Sequence, residues 1–450
     1  MKILHLVLVG ALLLAPIAVA AGPGGTLAQP GSDPGVESAG GDTVESIDGN
    51  PAPERASGPG GAVWQTDGDR SDDAEAEGQL LNVLSIPVRD LERSTLERQH
   101  ADLGPAVGLG SAETTDRIAT GALETALEEA DTGAERETVL REELTAIETA
   151  TATLGERERE AIGEFTANQR SARELLVTLA EIDRAAATLE SRSELVAERT
   201  EAADSTAVDT DRVAAVQYRL QTLQGPVRDH AAAVLSAEHS SDRILVETGG
   251  DSVALAAIDG EQYIRETTRA DRRGDAGGDL ADETVEEIVV GDFPLLWDRR
   301  TSFRHGPETR LSVQLGNGAF ETFVDPEIES VFRNSQRVPL DAIVASERTV
   351  KVQDGIEVTV RRTYAGGPLQ LSIADADTGE PLNATVTIGQ NGEESETIGR
   401  TNEAGELWTM TPREQFTITV LGEANSAAFV DITPQDPEEA VDSSRSTGET

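Results

Sequence analysis

Five histidines and 83 acidic residues are the side chains with which this chain of 450 residues could carry out acid–base or metal chemistry. The histidines stand at positions 5, 100, 230, 239 and 305, and they form no His-Glu-x-x-His motif and no close pair suited to a metal ion. His230 and His239 lie nine residues apart around a predicted helix end, where surface or capping roles are expected. Because acidic residues are so abundant, any neighbouring carboxylate pair is expected by chance, and none is singled out as catalytic.

Other catalytic signatures are missing from the sequence. It has no nucleophile-elbow G-x-S-x-G, no phosphate-binding P-loop, no complete G-x-G-x-x-G and no cysteine. Asp375 and Asp377 begin a segment similar to a calcium loop, but Gly379 occupies the fifth position and breaks the EF-hand spacing, which favours an ordinary turn. We therefore predict no catalytic residue, no metal ligand and no cofactor, and a protein that is not an enzyme.

One sequence motif marks a candidate modification. Asn383-Ala384-Thr385 is the only N-x-S/T sequence in the chain, and it lies at the start of a predicted strand. In an exported protein, Asn383 is a candidate N-glycosylation site. The alternative interpretation is an exposed asparagine that ends a turn.

The charge of the chain narrows the range of its partners. With 83 acidic against 37 basic residues, the formal net charge is -46, and Lys occurs only at Lys2 and Lys351. Such an excess repels phosphate backbones and anionic lipid surfaces, so we expect no nucleic-acid binding and no membrane adhesion through a basic patch. An acidic surface spread over the whole length suits a concentrated salt solution, because the Debye length falls to about 3 Å at 1 M. The composition indicates the protein of a halophile.

The start of the chain indicates export. Lys2 precedes an apolar stretch, a break at Pro16 and a small-residue end at Ala18-Val19-Ala20, which is the pattern of a secretory signal over residues 1–21. The alternative is an uncleaved membrane anchor. Residues 22–78, rich in Gly, Pro and acidic residues, are predicted to be a disordered acidic linker. We expect a secreted or cell-surface protein, located outside the cytoplasm.

Residues 79–237 are predicted to form a helical domain. Within it Gln79–Val88 is expected to be a strand or an extended arm, and residues 111–237 have the composition of helices, with abundant Ala, Glu, Arg and Leu. Apolar residues recur alternately four and three apart over residues 140–196, which predicts a heptad seam. Polar positions between residues 151 and 168 indicate a break, so two helices are favoured over one. The charged run Glu156–Glu160 is predicted to be a mostly solvated helix face. We expect a helical hairpin or coiled-coil-like bundle, whose apolar stripe is covered by its own chain or by a homodimer partner.

The middle of the chain is predicted to be rich in strands, because 11 of the 14 aromatic residues follow position 243 and Val, Ile and Thr become frequent. Residues 243–365 are expected to form an α+β domain that begins with a three-strand meander. Hairpins are predicted over residues 311–324 and 349–360. A covering helix is expected at either Asp282–Val290 or Glu327–Asn334.

Short strands at regular spacing over residues 366–434 predict a small antiparallel β-sandwich, followed by a disordered polar tail over residues 435–450. The predicted fold class is multidomain α and β. It comprises an N-terminal helical hairpin or coiled-coil-like bundle, an α+β middle domain and a C-terminal antiparallel β-sandwich.

Four segments are similar to a family of uncharacterised secreted haloarchaeal proteins: LQGPVRDHAAAVLSAEHSSDRILVET from Leu223, YIRETTR from Tyr263, YAGGPLQLSIADADTGEPLNATVTIG from Tyr364 and GELWTMTP from Gly405. The resemblance covers residues 79–434, and it implies no known activity and no catalytic residues. The last part, with its DTGEPLNATVTI, is also similar to the carboxypeptidase-regulatory-like, transthyretin-like sandwich modules of cell-surface proteins.

These observations predict an exported cell-envelope or extracellular protein with a structural or interaction role and no catalytic activity. Its expected partner is an envelope protein or a glycan, and the helical region is a candidate homodimer interface. Two alternatives stay open. One is a secreted hydrolase that uses carboxylates of the middle domain, which a cleft lined by converging carboxylates would favour. The other is an extracytoplasmic ligand-sensing protein with a membrane partner.

Overall fold

The computed structural model of the protein describes residues 84–435, except 203–207, 241, 275–277, 279, 294–296, 298–299, 305–308, 316–317, 346, 391–394 and 423–425. The predicted signal segment, the predicted linker and residues 436–450 of the predicted tail lie outside the described residues. Among the helices that are described, none combines the length and the apolar composition needed to cross a membrane.

Five helices occupy most of residues 103–235. They are α1 (Leu103–Glu129), α2 (Gly133–Thr166), α3 (Ala172–Ala202), α4 (Thr210–Thr222) and α5 (Pro226–Leu235). Thr132 begins α2 with a capping box, in which the Thr132 hydroxyl accepts from the Glu135 N–H and the Glu135 carboxylate accepts from the Thr132 N–H. After α2, Asn168 takes a left-handed conformation with φ of 57°. The two predicted helices are therefore α2 and α3, and α2 continues unbroken through Thr151.

Helix α3 contacts each of the other four helices. Apolar residues of α1 to α4 form a common core, in which Leu144, Ile147, Ile182 and Leu220 are fully buried. The apolar stripe of α2 and α3 is therefore covered by helices of the same chain. Glu158 departs from the predicted solvated face of α2. Its exposure is only 8%, because it pairs with Arg228 of α5.

The helices are followed by an eight-stranded sheet of order β1-β2-β3-β4-β8-β7-β6-β5, in which every pairing is antiparallel. Its strands are β1 (Arg93–Gln99), β2 (Asp242–Gly249), β3 (Ser252–Asp259), β4 (Gln262–Thr268), β5 (Arg300–Arg304), β6 (Thr309–Leu315), β7 (Gly318–Asp325) and β8 (Ser330–Pro339). Strand β1 lies in the predicted helical domain, ahead of the residues whose composition predicts helices, and it pairs with β2 through Leu96 opposite Leu245. Its sequence RSTLERQ has little apolar alternation, so the strand state depends on this pairing.

One of the two alternative helices is present. Helix α6 (Asp282–Asp292) buries Val285 and Val289 against the β6–β8 part of the sheet. The other alternative, Glu327–Asn334, is wrong as a helix, because its second half lies in β8. Strand β8 is hydrogen-bonded to β4 on one side and to β7 on the other, and these two ladders outweigh local helix propensity.

Residues 347–432 form a sandwich of two antiparallel sheets, with strand orders β14-β11-β10-β9 and β13-β12-β15-β16. Its strands are β9 (Glu347–Gln353), β10 (Ile356–Arg362), β11 (Pro368–Asp375), β12 (Thr385–Gln390), β13 (Glu396–Arg400), β14 (Glu406–Met410), β15 (Phe416–Leu421) and β16 (Ala427–Ile432). The predicted C-terminal β-sandwich is confirmed. However, hairpin β9–β10 belongs to it rather than to the middle domain, because Val358 and Val360 pack into its core.

The β1–β4 half of the large sheet is covered on both faces. Ile244 and Val246 of β2 pack against the helices, whereas Leu245 between them packs against Tyr364 and Met410 of the segment that forms the sandwich. This alternation is the period of two that a strand between two layers requires. The sheet is therefore the middle layer, with helices on one face and the sandwich on the other.

Candidate functional site

A cavity of about 410 Å³, called the polar cavity below, lies between the helices and strands β6 to β8. The helical side contributes Glu190 of α3, Gln221 of α4 and Gln224 of the turn before α5. The strands contribute, among others, Arg310, Ser312, Gln314, Phe320, Glu321, Phe323, Arg333, Ser335, Gln336 and Arg337. Amide, hydroxyl and guanidinium groups dominate this lining, so the cavity suits a polar ligand.

Glu190 organises the helical wall of the polar cavity. Its carboxylate accepts hydrogen bonds of 2.6 Å from Nε2 of Gln221 and of 2.6 Å from Nε2 of Gln224. The other end of the Gln221 amide, Oε1, accepts a hydrogen bond of 2.8 Å from Nη1 of Arg310 on β6. The series of hydrogen bonds from Glu190 through Gln221 to Arg310 therefore links the helical wall to the strand wall.

The strand wall is held by a second set of polar contacts. Arg310 donates through Nη2 to the carboxylate of Glu321 on β7, and the Ser312 hydroxyl lies 3.3 Å from the same carboxylate. Both carboxylates in the cavity wall, Glu190 and Glu321, thus accept hydrogen bonds from neighbouring side chains. The walls are ordered before any ligand enters.

Gln336 of β8 borders the polar cavity, but its side-chain amide does not open into it. It is only 2% exposed, and neither its Nε2 nor its Oε1 has a hydrogen-bond partner among the described residues. A buried polar group without a partner costs about 1–3 kcal/mol. Gln336 lies opposite Phe320, which packs into the core under α6, and it alternates along β8 with Ser335 and Arg337, so its amide lies on the sheet face away from the cavity.

A buried ion cluster next to the cavity fixes α5 to the sheet. The fully buried Arg228 donates from Nε to Oε1 of Glu266 on β4 at 2.6 Å, and its Nη2 lies 2.6 Å from Oε1 of Glu158 on α2. Burial alone would lower the pKa of Arg228, but the two carboxylates more than offset this and raise it. Burial, followed by the charge of Arg228, lowers the pKa of Arg333.

Asp183 of α3 lies at the edge of this ion cluster. It is 6% exposed, and its Oδ1 accepts a hydrogen bond of 2.7 Å from the backbone N–H of Gly225. Burial raises the pKa of Asp183 to about 7, although the Gly225 hydrogen bond opposes the rise. Asp183 is therefore a buried carboxyl group that titrates near neutral pH.

The structure brings together two histidines that lie nine residues apart in the sequence, His230 and His239. Their Nδ1 atoms lie 3.3 Å apart, and their ring centroids are 5.4 Å apart. Oδ1 of Asp259 lies 3.3 Å from Nδ1 of His230 and 3.6 Å from Nδ1 of His239. Two imidazole nitrogens and one carboxylate oxygen, here called the His–Asp cluster, therefore converge within one small volume.

Local chain geometry explains this convergence. His230 lies on α5, and Ala237 just after the helix takes a left-handed conformation with φ of 61°. The reversed chain is held by hydrogen bonds from the N–H groups of Glu238 and His239 to the carbonyl of Ala233. His239 is thereby returned to the end of the helix that carries His230.

The remaining residues singled out in the sequence lie apart from these sites. Oδ1 of Asp375 accepts from the Thr378 N–H, the Thr378 hydroxyl and the Asp377 N–H, and these hydrogen bonds lower the pKa of Asp375. This is the geometry of an ordinary turn. Asn383 is exposed just before β12, and its Oδ1 accepts a 3.0 Å hydrogen bond from Nε of Arg400. His5 and His305 lie outside the described residues.

Family models match three consecutive parts of the chain. A domain of unknown function (DUF7096) matches residues 3–240, and a family of unknown function (DUF7094) matches residues 244–344. An archaeal fibronectin-III type-like domain matches residues 347–429, which are most of the sandwich. No curated protein and no solved structure matches the chain. Since the first match covers more than half of the 450 residues, the chain belongs to the family of the domain of unknown function DUF7096.

Proposed function

We propose that the protein is an exported, non-catalytic interaction protein of the cell envelope of a halophilic archaeon, and that its polar cavity binds a glycan. The observation that carries the proposal is the wall of the cavity, where strand side chains such as Ser312, Gln314 and Arg337 add hydroxyl, amide and guanidinium groups to those of the helical side. A sugar ring offers adjacent hydroxyl groups, which both donate to and accept from such side chains.

The other lining groups fit the same ligand class. Ser335 and Arg337 are partly exposed in the cavity wall and offer further hydrogen-bond donors. A cavity of about 410 Å³ has room for one or two sugar units of a longer chain.

The contacts of the carboxylates favour binding over hydrolysis. A carboxylate-dependent glycoside hydrolase needs one carboxyl group that is free to donate a proton and a second on the other side of the bond. In the polar cavity Glu190 accepts from two glutamine amides, and Glu321 accepts from Arg310. Both groups are thus engaged in holding the walls, which supports an interaction role.

Export and salt adaptation rest on different observations. Residues 1–21 have the pattern of a secretory signal, and the formal net charge of -46 suits molar salt. The archaeal fibronectin-III type-like match supports an interaction module. Together these features favour a protein that works outside the cytoplasm, with an envelope glycan or glycoprotein as its partner.

Glycan binding is tested with the full chain at molar salt. We expect envelope glycans to bind the wild-type protein in isothermal titration calorimetry, and Gln314→Leu to lower the affinity about tenfold or more, because Gln314 is an exposed strand amide in the cavity wall. The matched control is Gln370→Leu, because Gln370 is a strand amide of the sandwich outside the cavity. Equal affinity of the wild type and Gln314→Leu would contradict the proposed site.

Export is tested separately by fractionating cells into cytoplasm, membrane, envelope and medium at native salt. We expect the protein in the envelope or the medium, shortened at its N-terminus near residue 21. Crosslinking in whole cells then identifies its neighbours. A full-length protein found only in the cytoplasm would contradict the proposed localisation.

A further inference from the structure

The His–Asp cluster has the shape of a metal site. A tetrahedral zinc ion with bonds of about 2.0–2.1 Å has ligand atoms about 3.3–3.4 Å apart. The three atoms of the cluster are separated by 3.3 Å, 3.3 Å and 3.6 Å, which are close to the three edges of one face of that tetrahedron. No thiol competes for a metal, because the chain has no cysteine.

Asp242 sets the tautomer of His230 that a metal ligand needs. Nε2 of His230 lies 2.9 Å from Oδ2 of Asp242, so Nε2 carries a proton and donates a hydrogen bond to the carboxylate. In the neutral ring Nδ1 then bears the lone pair, and Nδ1 is the atom that faces His239 and Asp259. A carboxylate–histidine pair of this kind is the usual partner arrangement behind a metal ligand.

The fold holds the two aspartates in place. Asp242 begins β2 and Asp259 ends β3, and the antiparallel register with Leu245 opposite Ala256 brings both to the same end of the β2–β3 hairpin. His230 is 5% exposed on α5, which packs against this part of the sheet. The side chain of His239 is 46% exposed, so an ion can reach the cluster from solvent.

The electrostatics of the cluster favour a positive charge between its members. Two imidazole nitrogens and one carboxylate oxygen repel each other at such distances unless a proton or a cation lies among them. A single proton joins only two of the three atoms, whereas a metal ion joins all three. Two imidazoles and one carboxylate suit zinc and related transition metals, since calcium and magnesium prefer oxygen ligands alone.

We propose that His230, His239 and Asp259 bind one divalent transition-metal ion of the zinc class, with Asp242 positioning His230 and with solvent in the fourth coordination position. The ion ties the end of α5 to the end of the β2–β3 hairpin. The site shares no residue with the polar cavity and does not depend on glycan binding.

The experiment uses the full chain, stripped of metal with a chelator and titrated with zinc alone at molar salt. We expect saturation at one zinc ion per chain and a rise in the thermal unfolding midpoint on binding. Cobalt(II) in place of zinc should give the visible absorption of a tetrahedral site. Failure of the wild-type chain to bind zinc saturably would overturn the proposal.

Variants separate this site from weak binding to the many surface carboxylates. His239→Ala should abolish the zinc-dependent rise in the unfolding midpoint and leave the metal-free midpoint unchanged, because the side chain is half exposed. Asp242→Asn should weaken zinc binding by roughly 10–100-fold. The control is His100→Ala, an exposed histidine outside the cluster. Equal zinc binding by His239→Ala and His100→Ala would also overturn the proposal.

Discussion

Nη2 of Arg228 lies 2.6 Å from Oε1 of Glu158, although one residue belongs to the short helix α5 and the other to the long helix α2. Arg228 is fully buried, and its Nε also donates to Glu266 of β4. One guanidinium therefore joins two helices and the sheet beside the polar cavity. A buried ion pair has little net effect on stability when complete, but removing one partner leaves an uncompensated charge.

Replacing the arginine should be strongly destabilising. Arg228→Leu leaves Glu158 and Glu266 buried without their counterion, so we expect the free energy of unfolding to fall by about 3–5 kcal/mol. Urea denaturation at fixed salt measures this change. The matched control is Arg157→Leu, because Arg157 of α2 forms an ion pair with Glu181 that is partly exposed. That variant should lose no more than about 1 kcal/mol, and a similar loss in both would contradict the assigned role.

The titration of Asp183 should make stability fall as pH rises toward neutrality. Its pKa is about 7 in the folded protein, against an ordinary value of 3.8, so between these values the unfolded chain is ionised while the folded chain retains the proton. The stabilising effect of Asp183 is complete below pH 3.8 and is lost as pH rises through about 7. The loss amounts to at most about 4 kcal/mol.

Asp183→Asn isolates this effect from other carboxyl groups. The amide oxygen still accepts from the Gly225 N–H, but the side chain no longer titrates. We expect the variant to gain stability relative to the wild type as pH rises from 5 to 8, measured by urea denaturation at each pH. A constant difference between the two proteins over this range would show that Asp183 has an ordinary pKa.

Tyr364 should be essential for the contact between the sandwich and the large sheet. Its ring is buried against Leu245 and Tyr263, and its hydroxyl lies 3.3 Å from that of Tyr263. Tyr364→Ala should cost about 3–5 kcal/mol and make the sandwich unfold separately, as a second transition in calorimetry. Phe429→Ala is the control, because this phenylalanine of β16 is 48% exposed. An unchanged single transition in Tyr364→Ala would contradict the proposed contact.

Much of the fold was accessible from local patterns, and the exceptions have physical causes. The heptad spacing predicts α2 and α3, and the turn residues Gly249 and Gly250 predict hairpin β2–β3. Strand β1 was missed because RSTLERQ has no strand pattern of its own and is ordered by pairing with β2. The second half of Glu327–Asn334 becomes a strand because it has a hydrogen-bonded neighbour on each side.

The His–Asp cluster depends on tertiary structure that local patterns indicate only in part. Asp242 and Asp259 lie at equal distances from the turn that the structure forms at Gly250 and Asp251, so their proximity follows from the hairpin register. The return of His239 to His230 depends on Ala237 in a left-handed conformation, which alanine rarely adopts and no sequence rule predicts. The polar cavity was likewise hidden, because it forms where the helices meet the sheet.

The acidic surface should make stability depend on salt. The net charge of -46 creates self-repulsion that weakens as the Debye length falls from about 10 Å at 0.1 M to about 3 Å at 1 M, so the thermal midpoint should rise over this range. Sodium chloride is preferred to sulfate, which also strengthens apolar burial. Glu156→Gln with Glu160→Gln removes two exposed charges from α2. The double variant should be more stable than the wild type at 0.1 M and indistinguishable from it at 1 M, whereas an equal gain at both concentrations would exclude charge repulsion as the cause.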